Sequence, residues 1–384
     1  MLRKRFLVLL SWCVTLAWCQ KPVIFSGGVV NAASYAQDMT SHSIGTIFGA
    51  NLAASTQTAA AIPLPTTLAG TSVIGCSALH LFYVSPSQIN FQWPQDSCPS
   101  PTAGIVVSTA AGTSDPYVFP SPPGNAPGLF TRDASGCGQG AALNVHADGG
   151  VSVNSPQDGV SPGEFISIYG TGLGYLSGTP PDGMPTPMSP LIRPDIGSGI
   201  MLDFVSYPLT NVYADYWAGL APGLIAVDQY NYRVPEAVRE GCAVPLQAAS
   251  GYGISQPVTV SIRSGGGPCV DPPSAGYGQI TWEKTVVIQP PSSSSETSDT
   301  LTVSLQASPG KVLPAPGGNP PTWFGPSCPV PGYRSLDAGA VTIQGPGFGS
   351  VQAPLAPLQE GQVSGLSIYR RPFPPAPSSR ARSA

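Results

Sequence analysis

One short stretch of this chain occurs twice, and that recurrence limits what the chain can fold into more than any other feature. Gln88-Ile89-Asn90-Phe91-Gln92-Trp93-Pro94 returns as Gln229-Tyr230-Asn231-Tyr232-Arg233-Val234-Pro235, an offset of 141 residues at both amides (88 to 229, 90 to 231). Side chains two apart on a strand share a face. Each copy therefore places Gln and Asn on one side and apolar or aromatic residues on the other, and the proline ends the ladder. Gly45-Thr46-Ile47-Phe48-Gly49-Ala50-Asn51-Leu52 has an echo in Ile168-Tyr169-Gly170-Thr171-Gly172-Leu173, and Ser114-Asp115-Pro116 has one in Ser255-Gln256-Pro257. At the first of these the offset is 121 (49 to 170), so the second copy carries about 20 extra residues, which fall in the Pro- and Gly-rich run 176–194. The pattern predicts two copies of one β unit, the second with an inserted surface loop.

Gly and Pro number 45 each, a level near that of disordered chains, but 42% hydrophobic content with Val, Ile, Tyr and Phe spread evenly belongs to a folded, turn-rich protein. Short alternating strands parted by turn residues, with almost no 3.6-residue period, predict an all-β chain of tandem immunoglobulin-like β-sandwiches with a small additional C-terminal β module. The expected boundaries are a leader over 1–19, a first sandwich over 20–120, a bridging segment over 121–158, a second sandwich over 159–272, the C-terminal module over 273–369 and a disordered tail over 370–384. Within the third module, 279–288 and 300–306 read as strands either side of a Pro- and Ser-rich turn, and 340–344 and 365–369 as two more.

Arg3, Lys4 and Arg5, an apolar run to Trp18 and then Cys19-Gln20-Lys21-Pro22 have the layout of a secretory signal peptide, which places the mature start near Gln20. The run is too short to span a bilayer, so no membrane span is expected once it is removed. Leu16-Ala17-Trp18-Cys19 has the outline of a lipoprotein processing site with Cys19 as the lipid-bearing residue, but Trp18 stands where a small residue belongs. Without the leader, 13 basic residues face 20 acidic ones. No basic stripe exists to meet phosphates, which argues against nucleic acid as a partner. The six remaining cysteines, at 76, 98, 137, 242, 269 and 328, include no Cys-x-x-Cys pair and read as disulfides of an exported protein. Cys242 with Cys269 and Cys76 with Cys98 each bracket strands of one unit; Cys137 with Cys328 is the pair left over.

His42, His80 and His146 have no partner at metal spacing or within a nucleophile signature, and Gly-x-Ser-x-Gly, His-Glu-x-x-His and Ser-x-x-Lys do not occur. No catalytic, cofactor or metal residue is assigned. A Ser-His-acid site would have to be assembled from separated positions. Gly170-Thr171-Gly172-Leu173-Gly174 looks like a phosphate loop, but its counterpart Gly49-Ala50-Asn51-Leu52-Ala53 points to a turn with positive φ instead. Asp148 and Asp182 lack the spaced carboxylates of a calcium loop. The recurrent amides Gln88, Asn90, Gln229 and Asn231 are expected to lock the sandwiches, since a buried amide must be hydrogen-bonded. Tyr213, Tyr216, Trp217 and Trp323 are the candidates for exposed, ligand-facing aromatics.

Asn31-Ala32-Ala33-Ser34-Tyr35, Phe48-Gly49-Ala50-Asn51-Leu52, Pro63-Leu64-Pro65-Thr66-Thr67-Leu68-Ala69-Gly70, Tyr83-Val84-Ser85-Pro86-Ser87-Gln88-Ile89-Asn90-Phe91, Ala126-Pro127-Gly128-Leu129-Phe130 and Ala218-Gly219-Leu220-Ala221-Pro222-Gly223 carry a further signal. Over roughly 31–262 the chain resembles an uncharacterised, secreted C-terminal domain family abundant in acidobacteria. The resemblance implies tandem immunoglobulin-like modules of the IPT/TIG type and carries over no catalytic residue. Tyr230 and Tyr232 depart from its pattern, which has smaller β-branched residues there, and so does the added C-terminal β segment. The functional expectation is a noncatalytic extracellular interaction or structural protein, secreted or held at the cell surface, without cofactor, whose partner is an unknown protein or a cell-surface glycan. The alternatives are a carbohydrate-binding module and an unrecognised secreted hydrolase.

Overall fold

The computed structural model describes residues 20–37, 39–94, 104–119, 127–174, 176–194, 198–203, 215–250, 253–288, 295–309, 334–335, 341–345, 349–353 and 367–373, with side chains described up to residue 273. Among them the regular structure is β throughout, in antiparallel sheets. The first unit contains β1 (Val23–Asn31), β2 (Ile44–Ala50), β3 (Gln57–Thr58), β4 (Thr67–Leu68), β5 (Thr71–Ile74), β6 (His80–Val84), β7 (Gln88–Gln92), β8 (Val106–Thr109) and β9 (Gly112–Thr113). These make a five-stranded sheet, β1-β2-β7-β6-β3, and a four-stranded sheet, β4-β5-β8-β9.

The sheets close over one core as a β-sandwich. Ile47, Leu81, Ile89 and Phe91 from the larger sheet and Leu68, Val73 and Val107 from the smaller are all buried in it. Period-2 alternation decides this: Ile89 and Phe91 of β7 are fully buried while Gln88 and Asn90 point to the other face. Each such aliphatic or aromatic side chain contributes about 1.5–3 kcal/mol by leaving water. Gly45 pairs with Phe91 across the ladder. A Cβ on Gly45 would lie 2.5 Å from the Phe91 ring, so glycine is what lets the ring lie over β2.

The second unit contains β10 (Gly128–Leu129), β11 (Ala142–Val145), β12 (Val151–Val153), β13 (Phe165–Thr171), β14 (Ser198–Leu202), β15 (Tyr216–Leu220), β16 (Asp228–Arg233), β17 (Gly241–Ser250), β18 (Gly253–Ile254) and β19 (Val258–Ile262). Its larger sheet runs β12-β11-β13-β16-β15, with β10 also on β13; its smaller sheet runs β14-β17-β18, with β19 on β17. Ile166, Ile168, Tyr230 and Tyr232 meet Leu202, Leu246, Val258 and Val260 in the core. The two tyrosines that depart from the smaller residues of the resembled family are thus fully buried.

The structure corrects the expected bridging segment over 121–158. Its strands β10, β11 and β12 belong to the larger sheet of the second sandwich, and Leu129 and Ala142 are buried in its core. Pairing β11 along β13 covers an edge that a separate bridge would leave open. The run 176–194 is likewise more than a surface loop. Leu176, Thr186 and Ile192 are buried, and Gly183 is bonded to the first sandwich, Leu64 N–H donating to its carbonyl at 2.9 Å. The turn after each counterpart strand has its positive φ, +56° at Asn51 and +109° at Gly172.

β20 (Ser274–Ile288) and β21 (Ser295–Pro309) form a long ladder that also takes in β22 (Arg334–Ser335) and β25 (Ser367–Phe373), and β23 (Val341–Gly345) pairs with β24 (Gly349–Ala353). The expected disordered tail is corrected at its start. Arg370 and Phe373 are in β25, opposite Thr302 and Asp299 of β21, whose length supplies backbone partners beyond residue 369. Residues 374–384 of that tail and the leader over 1–19 lie outside the described residues.

Candidate functional site

The recurrent amides form the same small network in both sandwiches. In the first, Thr46 lies opposite Asn90, and the Oδ1 of Asn90 accepts from Gln88 Nε2 at 2.8 Å and from Thr46 Oγ1 at 3.2 Å. In the second, Ser167 lies opposite Asn231, whose Oδ1 accepts from Gln229 Nε2 at 2.9 Å and from Ser167 Oγ at 2.7 Å. One carbonyl oxygen thus ties a strand to itself and to its neighbour. Both networks lie on the sheet face turned away from the core, each beside an aromatic residue, because Tyr83 pairs with Asn90 and Trp217 with Asn231.

The candidate aromatics separate. Tyr216 is corrected from ligand-facing to core: it is buried, its hydroxyl lies 3.0 Å from Ser198 Oγ, and burial pushes its pKa up to about 12. Its neighbour Trp217 points outward by alternation, with the Arg193 guanidinium 6.0 Å from the ring centroid, within cation–π range. Tyr213 and Trp323 lie outside the described residues. Beyond the polar outward residues of β16, Gln229, Asn231 and Arg233, the far side of this face is largely apolar: Val145, Phe165 and Tyr169 are part-exposed, and Val151 and Val153 are 60% and 50% exposed on the edge strand β12.

The two sandwiches meet through buried amides. Gln92 Oε1 accepts from Gly183 N–H at 2.6 Å, while its Nε2 donates to Asp182 Oδ1 at 3.2 Å and to His42 Nδ1 at 3.0 Å. Accepting at Nδ1 places the imidazole proton on Nε2, which is buried without a partner among the described residues. Burial lowers the His42 pKa to about 4. His80 packs its ring on Gly183, where φ is +81° and a Cβ would lie 2.5 Å from the imidazole. Thr171 Oγ1 accepts from Ile44 N–H and donates to Ala226 O, at 2.9 and 2.7 Å. Gln256, buried, accepts from Leu129 N–H and donates to the carbonyls of Leu129 and Ala33, at 3.2, 2.6 and 3.2 Å. These side chains join elements far apart in sequence and are spent on doing so.

His146 is in a different position. It follows β11 at the start of a tight hairpin turn, which brings it within 2.9 Å of Ser152 Oγ through Nε2 and within 3.2 Å of Glu164 through Nδ1. The carboxylate is held by the N–H groups of Ala147 and Ser161, at 3.3 and 3.2 Å. Sequence motifs missed this cluster because it has no conventional spacing. The signal was the Asp148-Gly149-Gly150 turn between two alternating segments: folding the chain there sets 146 and 152 on one face of a hairpin.

Cys242 and Cys269 form a disulfide with Cα atoms 5.2 Å apart. Cys76 and Cys137 are also disulfide-bonded, while Cys98 and Cys328, their expected partners, lie outside the described residues. Among the described residues no three His, Cys, Asp or Glu side chains converge to hold a metal ion, and no helix is long and apolar enough to cross a membrane. No family model, curated protein or solved structure matches the chain.

Proposed function

We propose that this chain is an exported protein of tandem immunoglobulin-like, IPT/TIG-type sandwiches that acts as an interaction or structural module at the cell surface or outside the cell. The observation that carries this reading is the outward face of the second sandwich's larger sheet. Apolar side chains there lie beside one another across β12, β11 and β13, Val151 and Val153 at the edge against Val145 and Leu143, and Val145 against Phe165, on an otherwise polar, weakly charged protein. Contiguous exposed apolar surface of this kind marks contact with a partner. The buried amides between the sandwiches support a structural role, because they fix how that face is carried.

The test uses the leaderless full chain and washed envelope of the cells that export it. A Val151→Glu, Val153→Glu variant leaves the core untouched and is expected to be retained at least about tenfold less than wild type, in the range lost when interface anchors are removed. Equal retention would sink the interaction reading. Export itself is checked by mass spectrometry of protein from the medium, with a mature terminus near Gln20 as the expected result.

Carbohydrate recognition is a second reading, favoured by Trp217. Beside its ring, Gln229 Oε1 and Asn231 Nδ2 have no hydrogen bond among the described residues and so remain available to sugar hydroxyls, while the ring offers a stacking face. Pull-down on insoluble polysaccharides and a glycan array test it, and absence of binding to every glycan would remove it.

A further inference from the structure

The cluster at the end of the β11–β12 hairpin fixes its own proton positions. Asn144 is fully buried and cannot turn, because its Oδ1 accepts from Asn154 Nδ2 at 2.7 Å and its Nδ2 donates to Asp158 O at 2.9 Å. Its second N–H points at Ser152 Oγ, 3.3 Å away. That contact uses one of the two acceptor sites of the hydroxyl; the carboxylate of Glu164 can only accept, so it takes the N–H of the neutral imidazole at Nδ1 and leaves Nε2 to accept from the Ser152 O–H. The imidazole proton then sits on Nδ1 and donates to Glu164. Hydroxyl to Nε2, and Nδ1–H to a carboxylate itself held by backbone N–H groups, is the arrangement that makes a serine nucleophilic. The imidazole and carboxylate are 28% and 19% exposed, so reagents can reach them.

The strand supplies a further element. Bonded pairs alternate along an antiparallel ladder. His146 N–H donates to Gly150 O and Asn154 N–H to Ala142 O, which makes Asn144 and Ser152 the bonded pair between them. The N–H groups of Val151 and Val153 therefore point away from β11, and β12 ends its sheet. The Val153 N–H, one residue past Ser152, is thus a donor unspent among the described residues and available to a developing oxyanion.

We propose that Ser152, His146 and Glu164 form an acyl-transfer site, with Ser152 as nucleophile toward small exposed acyl esters. Ser152 Oγ bonds to the ester carbonyl carbon as its proton passes to His146 Nε2. The bond from that carbon to the ester oxygen breaks, and the leaving alkoxide departs as an alcohol with the proton from Nε2. Water then adds to the acyl carbon and gives a proton to Nε2; the acyl–Oγ bond breaks, Oγ takes the proton back, and a carboxylic acid is released. No redox change occurs. Ser152 and His146 are the catalytic residues and Glu164 is a positioning residue. The Ser152 side chain lies on the opposite face of β12 from Val151 and Val153, so the site does not depend on what the apolar face binds.

The test treats the leaderless full chain with a fluorophosphonate probe and with p-nitrophenyl acetate, and maps the adduct by peptide mass. Labelling at Ser152 is expected, falling at least about 100-fold in Ser152→Ala and His146→Gln and about tenfold in Glu164→Gln, with recovery in Glu164→Asp. Wild-type protein unlabelled at Ser152, or labelling equal in His146→Gln, would overturn the proposal. Should a variant lower the melting temperature, Ser152→Cys in the otherwise native chain decides. Its thiol is expected to react with iodoacetamide at least about tenfold faster than free cysteine at the same pH, because His146 takes its proton, and a rate no faster would also overturn the proposal.

Discussion

At the scale of single residues, two buried titratable groups drive stability in opposite directions with pH. His42 has a folded pKa of about 4, below its ordinary value of 6.5, so protons bind the unfolded chain more tightly. Its contribution is fully present above about pH 6.5 and is lost as pH falls toward 4, to a total of roughly 3 kcal/mol. Urea midpoints for wild type and His42→Gln, measured from pH 7.5 to 4, are expected to converge as pH drops. Asp228 is the reverse case: burial raises its pKa to about 7 from 3.8, against the Leu173 N–H that donates to it at 2.8 Å. Stability is fully present below about pH 4 and is lost as pH rises through 7. Asp228→Asn keeps an acceptor for Leu173 and removes the charge. It is expected to match wild type near pH 4 and to exceed it by roughly 2–4 kcal/mol at pH 8, again by urea denaturation.

At the scale of elements, the strap over 176–194 and the Gln256 turn hold the sandwiches together. Gly183→Val places a branched side chain at φ +81° and against the His80 ring. The strap is expected to leave its seat and become cut by protease within 176–194 while both sandwich cores survive. Gln256→Ala orphans buried backbone groups of Leu129 and Ala33, a cost of about 2 kcal/mol readable as a lower melting temperature. Replacing both Cys242 and Cys269 by Ser opens a crosslink across a separation of 27 residues and is expected to cost roughly 3 kcal/mol. The strands themselves were legible in the sequence, since Ile89 and Phe91 alternate with Gln88 and Asn90 and a proline follows. The strap's docking was not. Its seat is Gln92, which bonds Gly183 across 91 residues, and no local pattern encodes a contact of that range. Likewise the structural role of the amides followed from their recurrence, whereas the inward turn of Tyr216 depended on the register of β15 against β16, which the sequence leaves open by one residue.

At the scale of the whole molecule, the described chain is all-β, with two sandwiches whose cores are separate and which are joined by buried hydrogen bonds. Strands that line each core alternate visibly in the sequence, Ile89 and Phe91 in one and Tyr230 and Tyr232 in the other. The placement of the hairpin β11–β12 was not visible there, because a strand pair reads the same whether it bridges two sheets or extends one. That ambiguity also hid the Ser152–His146–Glu164 cluster. Glu164 lies beyond the hairpin and reaches His146 only because β11 runs along β13 and carries the turn to the start of that strand. The position of a hairpin in the assembled sheet thus decided what chemistry its turn can support.

The seat of the strap sets an order of events. Leu64, His80 and Gln92 all belong to the part of the chain made first, and the glycine they receive, Gly183, arrives later. A chain that emerges amino end first presents a finished dock before the piece that fits it exists, so the first sandwich acts as a template for the loop of the second. Swapping the order of the two sandwiches in the gene, with every contact preserved in the product, would remove that template. Recovery of folded protein would then fall even though the final structure is no less stable.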